Sequence, residues 1–178
     1  MENVATQLQE VGRKDEAVSL YEKVVTLKRR VYGTNHIKTI DADEVLANAK
    51  LRQGGAENVQ HALWIFNQTL AVNTEYRGRD HRLTIQSRAL LSDAHFAARN
   101  FGDAERLRRE VWAAYKRSIG ESHLMTLQAA LVLMETLIQK RDFGEARAIQ
   151  AQVGPIIIRV LGPQHMLAKN MRILARRF

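Results

Sequence analysis

A short signature, Gly-x-x-His, returns four times along the chain, as Gly33-Thr34-Asn35-His36, Gly78-Arg79-Asp80-His81, Gly120-Glu121-Ser122-His123 and Gly162-Pro163-Gln164-His165, at spacings of 45, 42 and 42 residues. A period of this length marks a chain made by stacking one supersecondary unit, and it constrains the fold before any single residue is interpreted. Two further landmarks keep the same register. Sixteen residues before each motif glycine stands an alanine (Ala17, Ala62, Ala104, Ala146), and three residues after each of the first three histidines comes Thr39-Ile40, Thr84-Ile85 or Thr126-Leu127.

Between the signatures, aliphatic residues recur at three- and four-residue spacing, as in Ala17, Leu20, Tyr21, Val24 and Val25 or Leu127, Ala130, Leu131, Met134, Leu137 and Ile138. That period belongs to amphipathic helices. Frequent Ala, Leu, Arg, Gln and Glu favour helix over strand. Each unit therefore reads as helix, short turn, helix and Gly-x-x-His turn. The motif glycine ends one helix, and Asn35, Asp80 and Ser122 are the expected caps of the next. The turns inside each pair are expected at Gly12, Gly54-Gly55, Gly102 and Gly144, and the recurrent alanine marks close approach of paired helices.

Helices are expected at roughly 2 to 12, 15 to 32, 38 to 53, 57 to 77, 82 to 99, 102 to 118, 124 to 140, 144 to 161 and 164 to 177. Pro155 should kink or break the eighth. The result is an all-α solenoid of about four helix pairs plus a C-terminal helix, forming one domain. Its units run approximately over 1–35, 36–80, 81–122 and 123–164, with a terminal helix at 165–178.

The chain contains no cysteine, which removes disulfides and thiol chemistry. The motif histidines, at repeat spacing, stand too far apart to share a metal ion and are expected to bond locally. His61 and His95 have no partner at ligand spacing. The sequence has no phosphate-binding glycine loop, nucleophile elbow or His-Glu-x-x-His motif. An enzyme, a metal site and a cofactor are therefore not expected. The N-terminus lacks the apolar core of a secretory signal and no apolar run reaches bilayer length, so a cytoplasmic protein is the expectation.

The Gly-x-x-His turn, the Thr-Ile/Leu that follows it and the helix ending Asn100-Phe101-Gly102-Asp103-Ala104-Glu105 or Asp142-Phe143-Gly144-Glu145-Ala146 together resemble the kinesin light chain subclass of tetratricopeptide repeats. Leu161-Gly162-Pro163-Gln164-His165 is especially similar to the turn between repeats in that family. The chain departs from the family in lacking a proline after the histidine and an asparagine before the Leu-Ala pair.

The resemblance implies a right-handed α-α superhelix acting as a protein-protein interaction scaffold, with the first helix of each pair lining a concave groove. Carried over residue by residue, the peptide-binding positions are Asp41, Glu44, Asn48 and Arg52, then Gln86, Asp93 and Phe96, then Gln128, Leu131 and Glu135. Phe96 is the apolar anchor candidate. The carboxylates in this set point to a basic or polar peptide.

Two rival readings come from charge and from the chain end. The net charge of +8 and pI near 10.1, with basic bursts at Lys28-Arg29-Arg30, Arg106 to Arg109, Lys116-Arg117 and Arg172 to Arg177, would suit nucleic acid or an anionic surface on the convex back. The last helix carries Met166, Leu167, Met171, Ile173 and Leu174 with no following helix, and so could support a homo-oligomer.

Overall fold

The computed structural model describes residues 2–177. Among them nine helices follow one another and no strand occurs: α1 (Glu2–Glu10), α2 (Lys14–Tyr32), α3 (Ile37–Gln53), α4 (Ala56–Arg77), α5 (Arg82–Ala97), α6 (Phe101–Ile119), α7 (Leu124–Gln139), α8 (Phe143–Leu161) and α9 (Met166–Ala175). The observed ends lie within two residues of the expected ones. The helices form two compact units, one running to Ala98 and the other from Arg99 onward.

The turns between pairs follow one chemical plan, with a different cap from the one expected. Backbone amides of Lys38, Leu83, Met125 and Leu167 donate to Nδ1 of His36, His81, His123 and His165 at 3.1–3.2 Å, so the histidine caps each following helix. Asn35, Asp80 and Ser122 do not fill that role. They stand one residue too early, and His36, His81 and His123 occupy the extended N-cap conformation. The threonine three residues on, in the first turn of the helix, completes the joint: Thr39 and Thr126 Oγ1 donate to the carbonyls of Gly33 and Gly120, both at 2.7 Å. Gly120 itself sits at φ 87, ψ 163, a region nearly closed to residues with a Cβ.

Gly102 and Gly144, expected in the turns within pairs, lie instead in the first turns of α6 and α8. The left-handed residues at these turns are Arg99 (φ 61) and Arg141 (φ 62). The expected break at Pro155 is also absent, and α8 runs through it. Ala151, whose carbonyl loses its bond to the proline nitrogen, lies on an exposed stretch of the helix, where water can take over.

Ala17, Ala62, Ala104 and Ala146 are all fully buried, as a close-approach role requires. In the N-terminal unit Tyr21, Val24, Val25, Leu46 and Ala49 form one apolar cluster. In the C-terminal unit α7 is buried nearly all round, with Leu127, Leu133, Met134 and Leu137 at 0% exposure against Ile149, Val153 and Ile157 of α8 and Leu167 and Met171 of α9.

Candidate functional site

In the N-terminal unit, α3 places Asp41, Glu44 and Asn48 at i, i+3 and i+7, on one face beside α5. The structure ties two of the three into the packing. Ser87 of α5 donates to the Glu44 carboxylate at 2.5 Å and receives Asn73 Nδ2 from α4 at 2.8 Å. Arg77, one turn after Asn73, donates to the Asn73 side-chain oxygen and reaches the Asp41 carboxylate at 3.4–3.5 Å. Burial pushes the Glu44 carboxyl above the usual range, and the hydrogen bonds from Ser87 and Thr69 only partly oppose that. Glu44 thus joins neighbouring helices, whereas Asp41 and Asn48 keep partial exposure.

Arg52 is exposed at the end of α3, where its carbonyl accepts from Lys14 Nζ at 3.0 Å. On α5, Gln86 and Asp93 are exposed and Phe96 is half-buried.

In the C-terminal unit three of the expected positions share one cavity. A cleft of about 480 Å³ runs between α7 and α9, and the expected residues Gln128, Leu131 and Glu135 all line its α7 wall. α9 supplies the opposite wall with Asn170, Ile173 and Leu174. Leu131 and Leu167 form a buried floor at 4% and 7% exposure, while Ile173 stands 58% exposed at the rim. The lining offers one carboxylate, two amides and no basic group. That is a site for an apolar side chain flanked by a cation or by peptide amides.

The sequence places α9 in a basic surface or a contact with another copy and does not place it opposite α7. The apolar residues of α9 were the available signal.

Much of the basic sequence is committed inside the chain. Arg29 pairs with Asp43 at 2.8 Å, Arg106 with Glu110 at 3.2 Å, and Lys116 lies 4.1 Å from the Trp112 ring centre. Arg108 is buried and donates to the Val132 carbonyl at 2.9 Å and to Thr136 Oγ1 at 2.5 Å. Arg109 joins Glu105 of its own helix to Glu145 of α8, and Lys140 also reaches Glu105. Hydrogen bonds from Lys140 and from Arg109 hold the Glu105 and Glu145 carboxyls, respectively, below the usual range. Among the described residues no group of three His, Asp or Glu is placed to hold a metal ion, and no helix is long and apolar enough to cross a membrane.

Residues 1–38 and 84–124 match the sequence profile of the tetratricopeptide repeat family. Such repeats are in general non-enzymatic protein-interaction scaffolds. No curated protein matches the chain.

Solved structures match almost its whole length. The nearly identical TPR-like repeats of a Podosopora anserina protein assigned as a kinesin light chain, and a single-residue variant of them, each superpose with a TM-score of 0.83 at 21% identity over 99% of this chain and 84% of theirs. BtubC (BKLC) from P. vanneervenii gives 0.75 at 16% identity over 97% of this chain and 69% of that one. At these identities the likeness establishes the fold, a superhelix of stacked helix pairs.

Proposed function

We propose that this chain, an array of tetratricopeptide repeats with the kinesin light chain-like fold, is a scaffold that holds a segment of another protein on the face of its first helices, with the α7–α9 cleft as the anchor point. The observation that carries this reading is the convergence of Gln128, Leu131 and Glu135 on one cavity with an apolar floor. An occupant would bury a Leu- or Phe-sized side chain over Leu131 and Leu167. It would set a lysine or arginine against Glu135 and present backbone amides to Gln128 and Asn170. Asp41, Asn48, Gln86, Asp93 and Phe96 supply the same mixture of polar and apolar groups on the N-terminal unit.

The rival reading, phosphate binding by a basic back, is weakened by the intrachain partners of Arg29, Arg106, Arg108, Arg109 and Lys116.

Selection from a random peptide library against the intact chain tests the proposal. Selected peptides should combine one large apolar residue with a nearby basic one. Binding should fall about tenfold, on the order of 1.4 kcal/mol, in Glu135→Lys and in Ile173→Asp, two partly or largely exposed positions. Peptides that bind both variants as well as the parent would remove the cleft from consideration.

A further inference from the structure

A cavity of about 230 Å³ lies between the start of α3 and the second half of α4, and the groove reading does not use it. Ile65 and Val72 give it an apolar wall, while Asp43, Gln68, Glu75 and Tyr76 line it with acceptors and an aromatic ring. No lysine or arginine lines it. Asp43 stands two residues beyond Asp41, about 200° around α3, so the cavity belongs to a different face of that helix.

Its acceptors are incompletely served. The Asp43 side chain is only 13% exposed, and Arg29 donates to its Oδ1 at 2.8 Å. Among the described residues nothing donates to Asp43 Oδ2, and the side chains of Gln68 and Glu75 have no hydrogen-bonding or ionic partner. Burial pushes the Asp43 carboxyl above the usual carboxylate range, and Arg29 only partly opposes that. A desolvated carboxylate with one oxygen unserved gains from a further donor. The Tyr76 ring is 76% exposed.

Neither carboxylate belongs to the repeat plan. Seven residues after the motif histidines stand Asp43, Arg88, Ala130 and Arg172, and three residues before the motif glycines stand Arg30, Glu75, Arg117 and Arg159. The histidine cap forms in the same way at all four joints, so the turn does not require an acid at either place. The two departures converge on one cavity, in a chain whose net charge is +8.

We propose that this cavity is a seat for an arginine side chain of a partner protein. A guanidinium carries five N–H donors in one plane, enough to serve Asp43 Oδ2, Glu75 and the Gln68 side-chain oxygen together, whereas lysine offers a point charge with three. Its face stacks on the Tyr76 ring, and its aliphatic stem lies along Ile65 and Val72. The volume falls below the roughly 300–1,000 Å³ of sites for drug-sized ligands and cofactors, and suits a single side chain.

The test titrates the isotope-labelled full chain with small probes and follows its backbone amides by NMR. N-acetyl-arginine amide at millimolar concentration should shift Gln68, Glu75 and Tyr76. It should bind at least about tenfold tighter than N-acetyl-citrulline amide, which has nearly the same shape without the charge. Glu75→Arg, which installs the residue found at this place in the other repeats, should abolish the preference, and Tyr76→Ala should weaken arginine binding about two- to fivefold. Both positions are exposed, so neither change threatens the fold. Glu135→Lys, in the α7–α9 cleft, should leave the titration unchanged, so that this seat and the groove fail or stand separately.

Equal binding of the arginine and citrulline probes overturns the proposal, as does arginine binding that survives Glu75→Arg. N-acetyl-lysine amide binding as tightly as the arginine probe would remove the choice of a guanidinium. Propylguanidine, the side chain alone, binding at least about tenfold tighter than the capped arginine would mark a site closed to a peptide backbone, and would also overturn it.

Discussion

The unit that ends at Ala98 fills much of the space between its helices with hydrogen-bonded polar groups, whereas the unit that begins at Arg99 fills it with aliphatic side chains. Thr69, Asn73, Thr84, Ser87 and Ser92 are all buried in the first, and Ser87 and Thr69 hydrogen-bond the Glu44 carboxylate. In the second, Leu127, Leu133, Met134, Leu137 and Ile157 are buried together, and the ionic groups sit in a partly exposed cluster of Glu105, Arg109, Lys140 and Glu145. One helix-pair plan therefore tolerates two kinds of interior. An apolar interior is tolerant of rearrangement, while a hydrogen-bonded one fixes which side chains must face each other.

The two tryptophans report the units separately, since Trp64 lies on α4 and Trp112 on α6, and single-tryptophan variants would follow each in denaturant. The largest effect is expected from Leu133→Ala in the second unit. The side chain is fully buried, and cavity formation should cost about 2–5 kcal/mol, read as an earlier Trp112 transition. The same cost seen by Trp64 alone would break the distinction between interiors.

Asn73→Ala comes next, at about 1–3 kcal/mol in the Trp64 transition, because it removes the donor to Ser87 and the acceptor for Arg77. Replacing a capping histidine should cost about 1 kcal/mol in either unit, with His81→Ala read by Trp64 and His123→Ala by Trp112. Unequal costs would mean that the caps, though alike in geometry, differ in what surrounds them.

The smallest effect separates the units by sign. The Glu44 pKa is raised on folding, so the native state binds the proton more tightly, and this group's contribution falls as pH rises from about 4.5 through its shifted value. Glu105 and Glu145 have lowered values, and their contribution is lost as pH falls through them. Glu44→Gln should therefore gain on the parent as pH rises in melts between about pH 4 and 7, while Glu145→Gln should fall behind over the same range. The Glu145 effect should stay below about 1 kcal/mol, because the pair is partly exposed. Parallel trends would contradict the contrast.

Residues that repeat were legible in the sequence; residues that act across repeats were not. The spacing of Gly33, Gly78, Gly120 and Gly162 located every helix to within two residues, because each joint both closes and opens a helix. The cap was assigned to the wrong neighbour, since general preference favours Asn, Asp and Ser over the histidine that occupies the N-cap. Gln128, Leu131 and Glu135, carried over from the family resemblance, lie together on the α7 wall of one cavity. The role of Glu44 needed Ser87, 43 residues away, and only the packed structure brings the two together. The cleft likewise needed α9, whose apolar residues were visible but whose place opposite α7 was not. Pro155 does not break α8, because the carbonyl four residues earlier, Ala151, lies on an exposed stretch of the helix.

The backbone at Gly120, at φ 87 and ψ 163, is the mirror image of an ordinary extended residue. No heavy atom lies within 4 Å of the Cβ that L-alanine would add there, so any penalty for alanine comes from handedness and not from crowding. A chemically synthesised chain with D-alanine at this joint would sit in a comfortable conformation and enter folding with fewer unfolded states to lose, a gain of about 0.4–1 kcal/mol. The hinge between one helix pair and the next is thus a point where a chain of left-handed building blocks calls for a right-handed one.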